Sequence, residues 1–420
     1  MELKYGTSSF SCQLTNASLL QPEQLPEPSA AEQLIREALA NPIDSLPLDK
    51  ILKSGEKVSI VTSDITRYSG SKIYLPILIA ELNAIGISDG DIEIIIALGI
   101  HRKQTEEEHR KILGSLYGRI AVYDHECEDA TELVDLGMTD SGIPVQVNRR
   151  VVEADRVIVT GTIGFHYFAG FGGGRKGLVP GVASRETCMA SHFAVFNPPE
   201  TGGKHPQAVT GVLDGNPVHR NLVQAARLVQ PDFLLNTVLS PQKEILGVFS
   251  GDLEQAHLAG CEMVRSLFQV KLSQLADLAV ISCGGEPKDI NFIQAQKALD
   301  YGCRAVKEGG TIIFLAACRD GFGHATFFDW FRYQDLDQFE TALRKDYQIN
   351  GQTAHAVLVK TRRFRVILIS ELTVEQTQKM GMEKAVNLDS ALDLVIPGLD
   401  KKAKIVIIPD GGMVLPVIDF

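Results

Sequence analysis

Along the chain, apolar positions switch repeatedly between a period of two and a period near 3.6. That alternation predicts α/β layers. Residues 57–62 read as a strand and 71–84 as a helix. The run DIEIIIAL, residues 91–98, is nearly all apolar, as in a parallel strand covered on both faces. Thr105 and Glu108 spell T-x-x-E, a capping box opening the next helix. Further strands are expected at 119–123 and 156–160.

The pattern then breaks. Residues 161–215 read as a long loop-rich stretch with twelve glycines and three of the ten histidines. Loops of that length inside a compact domain are usually functional. Asn216-Pro217 restarts the helical pattern, with Asn as N-cap and Pro in the first turn. Asp252 and Gln255 cap another helix running to about 269. A second α/β unit follows: strand 278–283, helix 293–307, and strands 311–317, 365–370 and 404–409 before the tail GGMVLPVIDF. The expectation is two α/β domains, 1–270 and 271–420, with an active-site cleft between them. The first would carry the glycine-rich stretch with its lysine and histidines, and the second would close the cleft.

Length agrees, since 420 residues exceed one ordinary core. Apolar residues make up 45% and charged residues 22%, a soluble globular profile. Net charge is 41 − 52 = −11, which argues against nucleic acid or an anionic membrane surface as partner. No apolar run reaches the ~18 residues of a membrane helix. The stretch 73–80 is broken by Pro76 and stopped by Glu81, and the first residues lack a signal-peptide pattern. Seven scattered cysteines, never CxxC, point to reduced thiols and a cytoplasmic location.

Four segments carry candidate chemistry. In Ser63-Asp64-Ile65-Thr66-Arg67, Arg67 offers a planar fork for a carboxylate or phosphate and Asp64 can orient it or a base; an Asx turn with a surface ion pair is the plainer reading. In Gly99-Ile100-His101, a histidine at a strand exit suits a general base, or simply a capping role. The run HYFAGFGGGRKG, His166 to Gly177, holds a formal GxGxxG but follows no strand directly. Lys176 is not in a Walker loop because Gly177 follows it. Consecutive glycines such as Gly173 and Gly174 let backbone N–H groups approach an anion, and Lys176 becomes a nucleophile if its pKa falls. A mobile surface loop would hardly need Tyr167, Phe168 and Phe171. His192 suits a late transition metal, or a structural role. In the second domain Gln294 and Lys297 share a helical face that reaches a cleft or is merely solvated. The basic run 360–365 fits a helix C-terminus better than nucleic-acid binding.

Taken together, H-x-F-A-G-F-x-G-G-x-K, SDITR, the strand-exit GxH and the later histidine resemble the nickel-dependent lactate racemase family, in family order over most of the chain. The resemblance implies a racemase or epimerase of 2-hydroxy acids using a nickel pincer nucleotide (a pyridinium-3,5-bisthiocarboxylic acid mononucleotide) tethered to Lys176, with Gly173 and Gly174 beside it. By the same resemblance His192 is the nickel ligand and His101 and His166 are the two bases. Arg67 and Lys297 clamp the substrate carboxylate, Gln294 assists, and Asp64 orients the network. In this chemistry the hydroxyl proton is removed, the α-hydrogen leaves as hydride, and its return to the other face inverts the centre. Cofactor-biosynthesis proteins of the host are implied partners, and oligomerisation stays open. Two departures stand out: Gly172 replaces a serine common in the family, and Thr353 aligns with a pocket tryptophan. Two rival readings are a zinc metallohydrolase built on the histidines and a non-catalytic phosphate- or nucleotide-binding protein.

Overall fold

A computed structural model describes residues 1–22, 25–26 and 30–418. The chain forms two compact α/β units: Leu25–Ser266, and Met1–Gln24 together with Leu267–Phe420. The boundary near 270 expected from sequence thus lies at 266/267, and residues 1–24 belong with the C-terminal half. The reason is pairing. Ala17–Leu19 adds a parallel edge strand beside Ile405–Ile408, a contact no local pattern announces.

In the Leu25–Ser266 unit a six-stranded sheet runs in the order Ile245–Gly251, Phe233–Leu239, Arg156–Thr162, Val58–Ser63, Ile92–Ala97, Ala121–Asp124. All neighbours are parallel except the first pair. Ile94, Ile95 and Ile96 are fully buried in succession, which explains the unbroken apolar run. The helix Ser71–Ile85 buries Tyr74, Leu75, Leu78, Ile79 and Leu82 in this core and tolerates Pro76 inside it. Thr105 and Glu108 do form a capping box. Asn216 caps Pro217–Val229 through the N–H groups of Val218 and His219. The hairpin strands Phe233–Leu239 and Ile245–Gly251 were not read from the sequence.

The stretch 161–215 is more ordered than a loop. It contains the hairpin Phe165–His166/Gly170–Phe171, a 3₁₀ turn Gly174–Gly177 and the helix Arg185–Phe193. Elements this short and glycine-rich carry no periodicity, so the sequence showed only punctuation.

The other unit holds an all-parallel sheet: Glu383–Ala385, Arg365–Ile369, Val306–Leu315, Ala276–Ser282, Ile405–Ile408, Ala17–Leu19. Its helix Phe292–Gly302 is shorter than the expected 293–307, because Val306 already begins the next strand. In the tail, Leu415–Ile418 pairs in parallel with Gln269–Leu272. The basic run closes the helix Ile349–Arg363, where Arg363 pairs with Glu308; Arg365 pairs with Glu383. All seven cysteines are free thiols and six are buried. Among the described residues no helix is long and apolar enough to cross a membrane.

Candidate active site

Strand order places the site. From Val58–Ser63 the chain first builds outward through Ile92–Ala97 and Ala121–Asp124, then returns to the opposite side with Arg156–Thr162. The crevice beyond the carboxyl ends of Val58–Ser63 and Arg156–Thr162 is therefore the switch point, where open α/β sheets bind ligands. Asp64 follows one of these strands, and the hairpin carrying His166 follows the other.

Asp64 is buried, and its Oδ2 lies 2.6 Å from His101 Nδ1. The Thr66 hydroxyl donates to Asp64 Oδ1 at 2.8 Å, and Gln104 Oε1 accepts from the Ile65 N–H. Burial pushes the Asp64 carboxyl up, but the His101 hydrogen bond, the Arg67 charge and the Thr66 hydroxyl outweigh it and hold the group below its ordinary value. An ionised carboxylate only accepts, so His101 carries a proton on Nδ1, and in the neutral ring Nε2 presents a lone pair. Arg67 ends the 3₁₀ turn Ile65–Arg67 and is exposed. The Gly99 N–H donates to the Gly181 carbonyl at 2.8 Å, tying the His101 turn to the loop beyond Lys176.

Phe168 is the hub of the remaining residues. Its buried ring meets His166 edge-on at 4.6 Å and His192 edge-on at 5.2 Å, and Lys176 Nζ lies 5.9 Å from its centroid. Asn216 Nδ2 holds the Phe168 carbonyl at 2.9 Å. Aromatic residues next to the histidine were noticed in the sequence; this role for Phe168 was not.

Lys176 sits in the Gly174–Gly177 turn, with its N–H donating to the Gly173 carbonyl at 3.1 Å. Burial, with the charges of Arg67 and Arg175, lowers its amine to about 7. A large share of the amine is therefore neutral near pH 7 and able to form a covalent bond. His192 lies on the helix Arg185–Phe193, and its Nδ1 donates to the Cys188 carbonyl at 2.7 Å. That bond fixes the tautomer and leaves Nε2 as a ligand. Burial, the Lys176 charge and the Arg67 charge lower His192 to about 3, so it is neutral at any working pH. The amine and the imidazole thus both fit what a lysine-tethered nickel cofactor would require of a protein.

The glycines have packing reasons. A Cβ on Gly173, where φ is +70°, would stand 2.6 Å from Asn236 Oδ1; one on Gly174 would stand 2.7 Å from His257. The Gly174 N–H is committed to Asn236 Oδ1 at 2.7 Å. At Gly172 a Cβ meets nothing nearer than 3.7 Å. Asn236 in a strand, His257 on the helix Gln255–Phe268 and Arg175 in the 3₁₀ turn were all missed in the sequence, since a single buried polar residue leaves no periodic mark.

Gln294 and Lys297 belong to the other unit. On the helix Phe292–Gly302, Lys297 Nζ donates to Gln294 Oε1 at 2.7 Å. Thr353 is buried on Ile349–Arg363, its hydroxyl bonded to the Ile349 carbonyl at 3.1 Å. Among the described residues no three His, Cys, Asp or Glu side chains gather as a metal site, so the zinc reading finds no ligand set here.

Known proteins are similar to this chain over most of its length. Residues 5–203 match the lactate racemase N-terminal domain and 271–416 the lactate racemase C-terminal domain. The chain is 34% identical to a lactate racemase of Thermoanaerobacterium thermosaccharolyticum over 391 residues, covering 91% of this chain and 90% of that protein. It is 35% identical to a lactate racemase of Lactiplantibacillus plantarum, covering 90% and 89%. The lactate racemase apoprotein structure from T. thermosaccharolyticum superposes with a TM-score of 0.90 at 31% identity, over 99% of each chain. A Thermotoga maritima protein shares the fold, with a TM-score of 0.69 at 22% identity over 94% of this chain and 100% of that one.

Proposed function

The chain belongs to the lactate racemase family and is an isomerase, and from that premise we propose that it racemises or epimerises a 2-hydroxy acid with a nickel pincer nucleotide joined to Lys176. The observation that carries this reading is the set around Phe168. One buried ring packs against a candidate base and a neutral imidazole, and a lysine with a lowered pKa lies 5.9 Å from its centre.

Lys176 would hold the cofactor through its amine, and His192 Nε2 would ligate nickel. When bound, the cofactor supplies a hydride acceptor. The chain's own residues do the rest. Arg67 pairs its fork with the substrate carboxylate. His101 Nε2 takes the hydroxyl proton of one enantiomer while Asp64 holds its ring, and His166 serves the other enantiomer. Gln294 and Lys297 are proposed as further carboxylate partners, on the family pattern. Host cofactor-biosynthesis proteins would load Lys176, and a cytoplasmic location follows from that supply.

Intact-mass and nickel analysis of protein from a host that makes the cofactor tests the assignment. An adduct on the Lys176 peptide, with nickel lost in His192→Ala, is expected. Full racemase activity in protein carrying no adduct would overturn it.

A further inference from the structure

Arg175 stands beside Lys176 but points elsewhere. It is 2% exposed, and among the described residues no carboxylate pairs with it. A charged group buried without a counter-ion is costly, and such groups persist where their hydrogen bonds matter. Arg175 Nη2 donates to the Ala169 carbonyl at 2.9 Å, and Nη1 lies 2.9 Å from His257 Nε2, which itself lies 2.9 Å from the Gly172 carbonyl. Nε has no partner. A guanidinium only donates, so neutral His257 accepts from Arg175 in the tautomer with a bare Nε2 and donates to the Gly172 carbonyl in the other. Burial and the Arg175 charge hold His257 well below its ordinary value, as this requires.

Ala169 is the last of the three turn residues of the His166 hairpin, fully buried, and its N–H donates to His166 Nδ1 at 3.3 Å. We propose that Arg175 is a positioning residue: by clamping the Ala169 peptide between the hairpin and His257, it fixes the ring and tautomer of His166. With Nδ1 accepting, neutral His166 carries its proton on Nε2. His101 is the opposite case, with Nδ1 donating to Asp64 and Nε2 bare. The resting pair is therefore one hydrogen-bond donor and one acceptor. The enantiomer served by His101 therefore meets a ready base, while the enantiomer served by His166 needs that ring in its other tautomer. His166 reaches its other tautomer only by giving up the Ala169 bond.

This rests on the reading of His166 as a substrate-facing group, but its test needs neither cofactor nor turnover. Selective ¹⁵N-histidine labelling of the full-length apoprotein reports each ring's tautomer, with assignments from His101→Gln and His166→Gln. In the parent protein His166 should show an unprotonated Nδ1 and a protonated Nε2, with the reverse at His101. Arg175→Met should lower the His166 tautomer ratio about fivefold, the effect of losing one neutral hydrogen bond, while His101 is unchanged. Arg175→Lys keeps the charge but cannot reach both acceptors, and should show the same shift should the Met variant fail to fold. A parent His166 protonated on Nδ1, or a ratio unmoved in a folded variant, overturns the proposal. Loss of racemisation in His166→Ala tests the functional reading separately.

Discussion

Asp64 Oδ2 lies 2.6 Å from His101 Nδ1, with the carboxylate side chain 1% exposed and the imidazole 41% exposed. A buried acceptor holding a ring whose other edge reaches solvent is the geometry of an oriented base. Asp64→Asn removes the charge and permits the wrong tautomer. It should lower kcat by about 10²–10⁴-fold while KM changes little, because Arg67 still meets the carboxylate. Steady-state racemisation assays with each enantiomer check this; an unchanged kcat would refute the orienting role.

Lys176 gives a pH dependence of known sign. Its amine is lowered to about 7, so the neutral, nucleophilic form grows as pH rises through that value. In cofactor-free protein, acylation of Lys176 should rise from pH 6 to 8 and level off, while surface lysines near the ordinary pKa of about 10.4 are still accelerating. Peptide mass spectrometry reads both. Lys176→Ala and Lys176→Arg should each lose the cofactor adduct and nearly all activity, since guanidinium stays charged.

The proposed two-base reaction needs both His101 and His166 in every turnover. Alanine at either position should abolish net racemisation in both directions. His166→Ala should still oxidise the enantiomer served by His101, and His101→Ala the other one. Stopped-flow observation of cofactor reduction with pure enantiomers decides; wild-type turnover in either variant would show the two-base assignment to be wrong.

By the family resemblance Thr353 takes the place of a pocket tryptophan, and the proposed preference is for 2-hydroxy acids with side chains longer than a methyl group. Each methylene is worth only ~1–3 kcal/mol, so size discrimination should be modest. A panel of chiral 2-hydroxy acids tests this, and a clear preference for lactate by the parent protein would count against it.

Gly172 and Gly173 should respond differently to substitution. Gly173→Ala places a Cβ against Asn236 and the Thr162 carbonyl at a positive φ, and should cost about 1–3 kcal/mol. Gly172→Ser has open space and should stay within about 0.5 kcal/mol. Thermal or urea unfolding of the apoprotein measures both.

Local physics was legible in the sequence. The apolar run at Ile92–Ala97, the Thr105 capping box and the Asn216-Pro217 helix start depend on neighbours within a few residues, and each appears where the pattern put it. Asp64, His101, His166, Lys176 and His192 were singled out because strand exits and a glycine-rich run mark themselves. What the sequence could not contain was any contact between distant segments. Ala17–Leu19 joins a strand nearly four hundred residues away by backbone hydrogen bonds that no side-chain pattern encodes. Phe168 reaches His192, and Arg175 reaches His257, because the strand order brings their loops to one end of one sheet. Burial then does what sequence cannot: it removes water from Lys176 and His192, and so makes one a nucleophile and keeps the other neutral.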